Sequence, residues 1–143
     1  MSVKQLSVFL ENKEGKLKKA VNAMSQAGVN IRALSIADSS KYGILRLIVS
    51  DNETAIDALR SEKFTVKETD VIVVGVKDEP NGLNTMLEIL EKESINVEYL
   101  YAFMARTEKH AYVVLRVADN DAAEKVLADA DFHMITDKDV CKL

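Results

Sequence analysis

The segment Glu11-Asn12-Lys13-Glu14-Gly15-Lys16-Leu17 returns later in the chain as Asp78-Glu79-Pro80-Asn81-Gly82-Leu83. Each copy follows an apolar run with the period of a strand and opens a run with the period of a helix. A glycine between strand and helix lets the backbone turn sharply. It also leaves the first N–H groups of the helix without intrahelical acceptors, free for an anion. Two such turns in one chain mean that whatever the first half folds into, the second half is expected to fold into as well.

The first half sets the pattern. Leu6, Val8 and Leu10 alternate with Gln5 and Ser7, the period of a half-buried strand. Leu17, Ala20, Val21, Met24 and Ala27 form one helical stripe, and Gly28 stands where a helix stops. Strands are predicted over Val29–Ala37 and Gly43–Val49, joined by the turn residues Asp38-Ser39-Ser40-Lys41. Ser50 with Glu53 has capping-box spacing, and Asp51 is the alternative cap for a second helix whose buried side is Ala55, Ile56 and Leu59. Phe64–Lys67 is a fourth strand.

The same order then restarts at Val71–Val76. The two loop glycines are 67 positions apart. Leu83, Met86, Leu87 and Leu90 repeat the helical stripe, and Ser94-Ile95-Asn96-Val97 echoes Gly28-Val29-Asn30-Ile31. Asp119-Asn120-Asp121 repeats Asp51-Asn52-Glu53, and Phe132 repeats Phe64, both at an offset of 68. The expected fold class is therefore α+β, a duplicated ferredoxin-like βαββαβ plan, with antiparallel sheets and helices on one face. The domains are residues 1–69 and 70–143. By the same offset, the tail Asp139–Leu143 is expected to add a short C-terminal strand. Glu68-Thr69-Asp70 is too short to be a flexible linker: three residues reach at most about 10 Å. A hairpin of Phe64–Lys67 with Val71–Val76 is one way to use it. Ile44 and Ile48 lie opposite Leu45, Leu47 and Val49, so the open sheet face is expected to be covered by the other half or by a second chain.

Composition excludes several classes. A net charge of −4 with both signs interspersed gives no reason to expect nucleic acid as a partner. No apolar run is long enough to span a membrane, and no secretory leader is legible at the start. The single cysteine, Cys141, allows no internal disulfide, which suits the cytoplasm. His110 and His133 are the only histidines and stand in different elements, His110 in a predicted solvated turn. With Cys141 in the tail, they give no metal-ligand spacing, and no nucleophile triad, phosphate loop or dinucleotide fingerprint is present. Asp119-Asn120-Asp121 lacks the glycine and terminal glutamate of a calcium loop and reads as a helix cap. The chain is expected to be no enzyme and to need no cofactor. Tyr99, Tyr101 and Phe103 alternate along a strand as packing residues.

With Glu11–Leu17, Asn30-Ile31, Ala33–Asp38, Asp78–Leu83 and Asn96–Phe103 in view, the chain resembles a pair of ACT domains along nearly its whole length. The resemblance implies a non-catalytic regulatory protein that binds a small amino acid at the interface between modules. It also implies the site residues. In the first half they are Asn12, Lys13, Glu14, Gly15, Lys16 and Leu17 with Asn30 and Ile31. In the second they are Glu79, Pro80, Asn81, Gly82 and Leu83 with Asn96 and Val97. Asn30 and Asn96 have an alternative role as turn formers after a helix. The family often carries proline just before the loop glycine; here Glu14 takes that place, and Asn81 separates Pro80 from Gly82. Unopposed acid at Asp78 and Glu79 favours a neutral or basic amino acid over an acidic one. A homodimer is expected, with a metabolic enzyme as a further partner. The alternative is a ligand-free interaction module or detached regulatory subunit of an amino-acid biosynthetic enzyme.

Overall fold

The computed structural model describes residues 2–38, 41–106, 110–140 and 142. It divides into two compact units, Lys4–Thr69 and Asp70–Leu143, the latter including the first three residues of the chain.

In the Lys4–Thr69 unit the elements are β1 (Val3–Glu11), α1 (Lys16–Gln26), β2 (Ile31–Asp38), β3 (Tyr42–Val49), α2 (Asn52–Ser61) and the start of β4 (Thr65–Lys77). β3 lies between β1 and β2, antiparallel to both, with Val8 opposite Leu45 and Leu34 opposite Leu47. β4 also pairs with β1. Leu6, Val8 and Leu10 share one sheet face with Leu45, Leu47 and Val49, and they close over Ala20 and Met24 of α1 and Ala55 and Leu59 of α2. Of the predicted helical stripe, Ala20 and Met24 are the buried side of α1, Val21 is half-buried, and Leu17 and Ala27 are exposed. Gln5, Ser7 and Ile48, on the other face, are buried too.

The second unit takes the rest of β4, then α3 (Gly82–Lys92), β5 (Val97–Arg106), β6 (His110–Val117), α4 (Asn120–Asp129), β7 (His133–Ile135) and α5 (Asp137–Val140). β4 lies between β6 and β7, and β5 pairs with β6, all antiparallel. Ile72, Val74, Val76, Val113, Leu115 and Val117 face Met86 and Leu90 of α3 and Ala123 and Leu127 of α4. Each unit is thus an α+β layer pair, with both long helices on one sheet face. Tyr101 and Phe103 are buried, and Phe103 meets Tyr112 edge-to-face at 6.2 Å.

Three expectations fail. Glu68-Thr69-Asp70 makes no turn: Thr65–Lys77 is a single strand of 13 residues, so the hairpin does not form. None of these three residues is a glycine or proline, and an extended chain can pass straight through them. Among the described residues the tail adds no strand after β7, and residues 137–140 are helical; Cys141 and Leu143 lie outside the described residues. Thr136 Oγ1 donates to Asp139 Oδ2 at 2.9 Å, and the Asp139 N–H donates back to Thr136 Oγ1 at 3.3 Å, a reciprocal cap that starts a helix. Finally, His110 is in no solvated turn; it is half-buried and opens β6 opposite Lys77.

Ser50 and Asp51 divide two tasks. Asp51 caps α2 by accepting the Thr54 N–H at 3.1 Å, and Asp119 caps α4 by accepting the Ala122 N–H at 3.1 Å. Ser50 instead brackets Asn30, accepting its N–H on Oγ at 2.9 Å and donating its own N–H to the Asn30 carbonyl at 2.9 Å.

Candidate functional site

The two strand-to-helix loops have the same hydrogen bonds. In the first, the Lys13 N–H donates to Glu11 O, Lys16 to Lys13 O and Lys19 to Gly15 O, at 2.8, 3.3 and 2.9 Å. In the second, Glu79 donates to Lys77 O, Gly82 to Glu79 O and Thr85 to Asn81 O, at 2.9, 3.0 and 3.0 Å. The offset in this region is 66, which sets Glu14 beside Pro80, Gly15 beside Asn81 and Lys16 beside Gly82. The two glycines that marked the repeat in the sequence are therefore not equivalent. Gly15 is the residue before α1, left-handed at φ 81°. Asn81 takes that place at φ −98°. Gly82 is the first residue of α3 and packs against the Lys77 carbonyl, where no Cβ fits. Leu17 and Leu83 match as well, exposed to 38% and 39%. The two residues that change the offset from 66 to 68 lie in β5, which has 10 residues against 8 in β2.

Several loop donors are already used. The Asn12 N–H donates to Lys41 O at 3.0 Å, and those of Lys13, Lys16, Glu79 and Gly82 are taken as above. Among the described residues, the N–H groups of Leu17, Lys18, Leu83 and Asn84 have no backbone acceptor. Neither α1 nor α3 has a side-chain cap hydrogen bond, and neither has an acidic residue in its first turn. These helix starts carry the partial positive charge of uncompensated peptide dipoles. Lys13 adds little free charge, because its ammonium is 3.1 Å from Glu11. The hydrogen bond from Lys13, then the charges of Lys13 and Lys16, hold the Glu11 carboxyl below its ordinary value.

Asn12, Lys13 and Leu17 line a cleft of about 290 Å³ with Leu10, Ile36 and Gly43. Asn30 and Ile31 do not line it. Ile31 begins β2, and Ile36 lies five residues further on, about 16 Å along the strand. Asn96 and Val97 stand at the matching place before and at the start of β5. In the second unit, Glu79 and Gly82 line a different recess of about 300 Å³ with Gly75, Thr85, Phe132 and both histidines, His110 and His133. The sequence separates those histidines by 23 positions. Only the antiparallel pairing of β4 with both β6 and β7 brings them to one place, so no local spacing could have revealed it. Among the described residues there is no group of three or more His, Cys, Asp or Glu able to hold a metal ion. No helix among them is long and apolar enough to cross a membrane.

Comparison with known proteins agrees with this geometry. A Bacteroides thetaiotaomicron protein of known crystal structure is 36% identical and superposes with a TM-score of 0.92 over 100% of this chain and 98% of its own. The regulatory subunit of aspartate kinase from Thermus thermophilus shares the fold at 16% identity, with a TM-score of 0.61 over 89% of this chain and 91% of its own. Clostridium acetobutylicum aspartate kinase shares it at 14% identity and a TM-score of 0.54, over 90% of this chain and 33% of its own. No curated protein matches the sequence. The sequence matches the ACT domain pair over residues 1–143, and the chain belongs to that family.

Proposed function

We propose that the chain is a non-catalytic regulatory protein of two ACT modules, residues 1–69 and 70–143, that binds a small amino acid through the loops opening α1 and α3. One observation carries this reading. Asp51 and Asp119 cap α2 and α4, whereas α1 and α3, the helices behind the two loops, have no side-chain cap. Their open N–H groups are suited to a ligand carboxylate, which would satisfy donors that water otherwise serves and would meet the positive end of the helix dipole. Asn12, Lys13 and Leu17 form the wall in the first module; Asp78, Glu79 and Leu83 occupy the corresponding positions in the second, with Pro80 and Asn81 between them in the loop. Asn30, Ile31, Asn96 and Val97, at the far ends of their strands, serve a ligand held by another copy of the chain, so a homodimer is part of the proposal.

Charge sets the ligand class. Glu11 and Lys13 pair in the first loop, and in the second loop the sequence places two acids, Asp78 and Glu79, beside one base, Lys77. A neutral or basic amino acid is favoured over aspartate or glutamate. Binding favours one arrangement of the assembly, which a metabolic enzyme in the cytoplasm reads as a change in affinity. A thermal-shift screen of the twenty amino acids tests the proposal, because a ligand of the native state must raise the melting temperature. A rise with a neutral or basic amino acid is expected. No rise with any of the twenty would overturn it.

A further inference from the structure

Gly43 is a glycine that the fold does not require. It stands in β3, opposite Leu10 of β1 and Asp38 of β2, and both ladders keep their register there. Its φ is not left-handed. A Cβ built on it would lie 3.4 Å from the Ala37 carbonyl oxygen and 3.6 and 3.7 Å from Ile36 Cγ1 and Cδ1, which is ordinary van der Waals contact. The second unit has alanine at the matching register: Ala111 is opposite Val76 as Gly43 is opposite Leu10. A glycine inside a strand weakens it and marks a bulge, a corner, or a place where a ligand or another backbone comes close. With both ladders in register the strand is not bulged, and the Ala37 oxygen is no closer than an ordinary neighbour. A ligand is the remaining cause.

The missing side chain opens the floor of the cleft in the first unit, between Leu10 and Ile36. Leu10 is buried, while Leu17 and Ile36 stand beside the gap with 38% and 51% of their surface in water. Large apolar side chains left wet around a gap gain by covering themselves with an apolar guest. The other end of the cleft is polar. Leu17 gives it both an apolar side chain and, through its open N–H, a donor at the start of α1. The one acid and the one base of the lining, Glu11 and Lys13, are 3.1 Å apart and already paired. The guest that matches both ends carries a carboxylate at one and an uncharged apolar group at the other. The recess of the second unit is built otherwise, with Lys77, Glu79, Thr85 and both histidines in its lining.

We propose that this cleft is the side-chain subsite of the first module, and that it selects an amino acid with a large apolar side chain, such as leucine, over alanine and over lysine. The subsite rests on the amino-acid reading and narrows its ligand class in one of the two modules. Calorimetric titration of the full chain with leucine, alanine and lysine tests it. Leucine is expected to bind one class of site at least about tenfold more tightly than either of the others, because its isobutyl group buries apolar area that a methyl group lacks and that an ammonium enters only at a desolvation cost. Gly43→Leu fills the floor and is expected to bring the leucine-to-alanine affinity ratio near one. Should that variant not fold, Gly43→Ala, which adds the methyl group that Ala111 carries in the second unit, is expected to lower the ratio about threefold. Equal affinities for leucine and alanine, or a ratio unchanged in the folded Gly43 variant, would overturn the subsite and leave the amino-acid reading standing. Absence of binding by all twenty amino acids would overturn both. A second copy of the chain seated on the cleft would show as equal affinities together with altered self-association in Gly43→Leu, and that result also overturns the subsite.

Discussion

At Gly82 a methyl group in the Cβ position would overlap the carbonyl oxygen of Lys77 and lie 2.9 Å from its carbonyl carbon. At Gly15 the same methyl group would meet nothing within 4 Å, and the constraint is the left-handed backbone, φ 81°. The two glycines are therefore needed for different reasons, one for space and one for conformation. Gly15→Ala is expected to cost about 1 kcal/mol, the ordinary penalty of a left-handed alanine. Gly82→Ala is expected to cost roughly 3 kcal/mol, because the obstacle is backbone and α3 must move to clear it. Urea unfolding midpoints of the two variants check the order, and equal losses would refute it. Asp51 supplies a pH signature at the same scale. The Thr54 hydroxyl, then the Thr54 N–H, hold its carboxyl below the ordinary 3.8. A depressed folded value means the ionised cap stabilises above the ordinary value and fades as pH falls through the folded one. The stability gap between the native chain and Asp51→Ala is thus expected to be full at neutral pH and to close as pH falls below the ordinary carboxylate value and through the lowered folded one. A gap of constant size across acid titration of the two proteins would contradict this.

Among elements, α5 is the short one with the clearest cause. Thr136 and Asp139 exchange hydrogen bonds across its first turn, and Val140 is buried at its end. Thr136→Ala removes the hydroxyl from both interactions and is expected to fray α5. Faster hydrogen exchange at the Val140 amide, with α4 unchanged, is the measurement; an unchanged rate would show that Val140 packing alone holds the turn. The capping signal Thr136-Asp137-Lys138-Asp139 was present in the sequence, but the 68-residue offset pointed to a strand instead. Periodicity did better where an element has one buried side: Ala20 and Met24, and Met86 and Leu90, are buried where a 3.6 period places them, although Leu17 at the start of the first stripe is exposed. It failed over Thr65–Lys77, where Glu68-Thr69-Asp70 is polar yet remains extended, because without a glycine or proline nothing in these residues forces the chain to turn. For the candidate site, the loops were legible and their alignment was not. Gly15 and Gly82 look alike in letters, and only their hydrogen bonds show that Asn81 is the partner of Gly15.

For the whole molecule, two modules of one plan with unlike loops have a consequence for ligand binding. The first loop rests on a left-handed glycine and carries Glu11, Lys13, Glu14 and Lys16, which cancel. The second rests on Pro80-Asn81, and Asp78 and Glu79 outnumber Lys77. On the proposed reading, a carboxylate ligand would meet open helix donors in both, but with different loop stiffness and different local charge, so its two binding free energies should differ. Calorimetric titration with alanine or with lysine is expected to show two classes of site rather than one. Glutamate carries a second carboxylate, which the acidic loop repels, so its titration is expected to lack the class belonging to the second loop. The discrimination is electrostatic between exposed groups and therefore screened: the Debye length falls from about 8 Å at physiological ionic strength to about 3 Å in 1 M salt. Raising the salt should narrow the difference between glutamate and alanine while leaving two classes for alanine, because loop geometry does not depend on salt. Gly15→Ala should disturb the first class alone. A single class for alanine in the native chain, or a glutamate preference that grows with salt, would show that the two loops do not act as separate receptors for the same carboxylate.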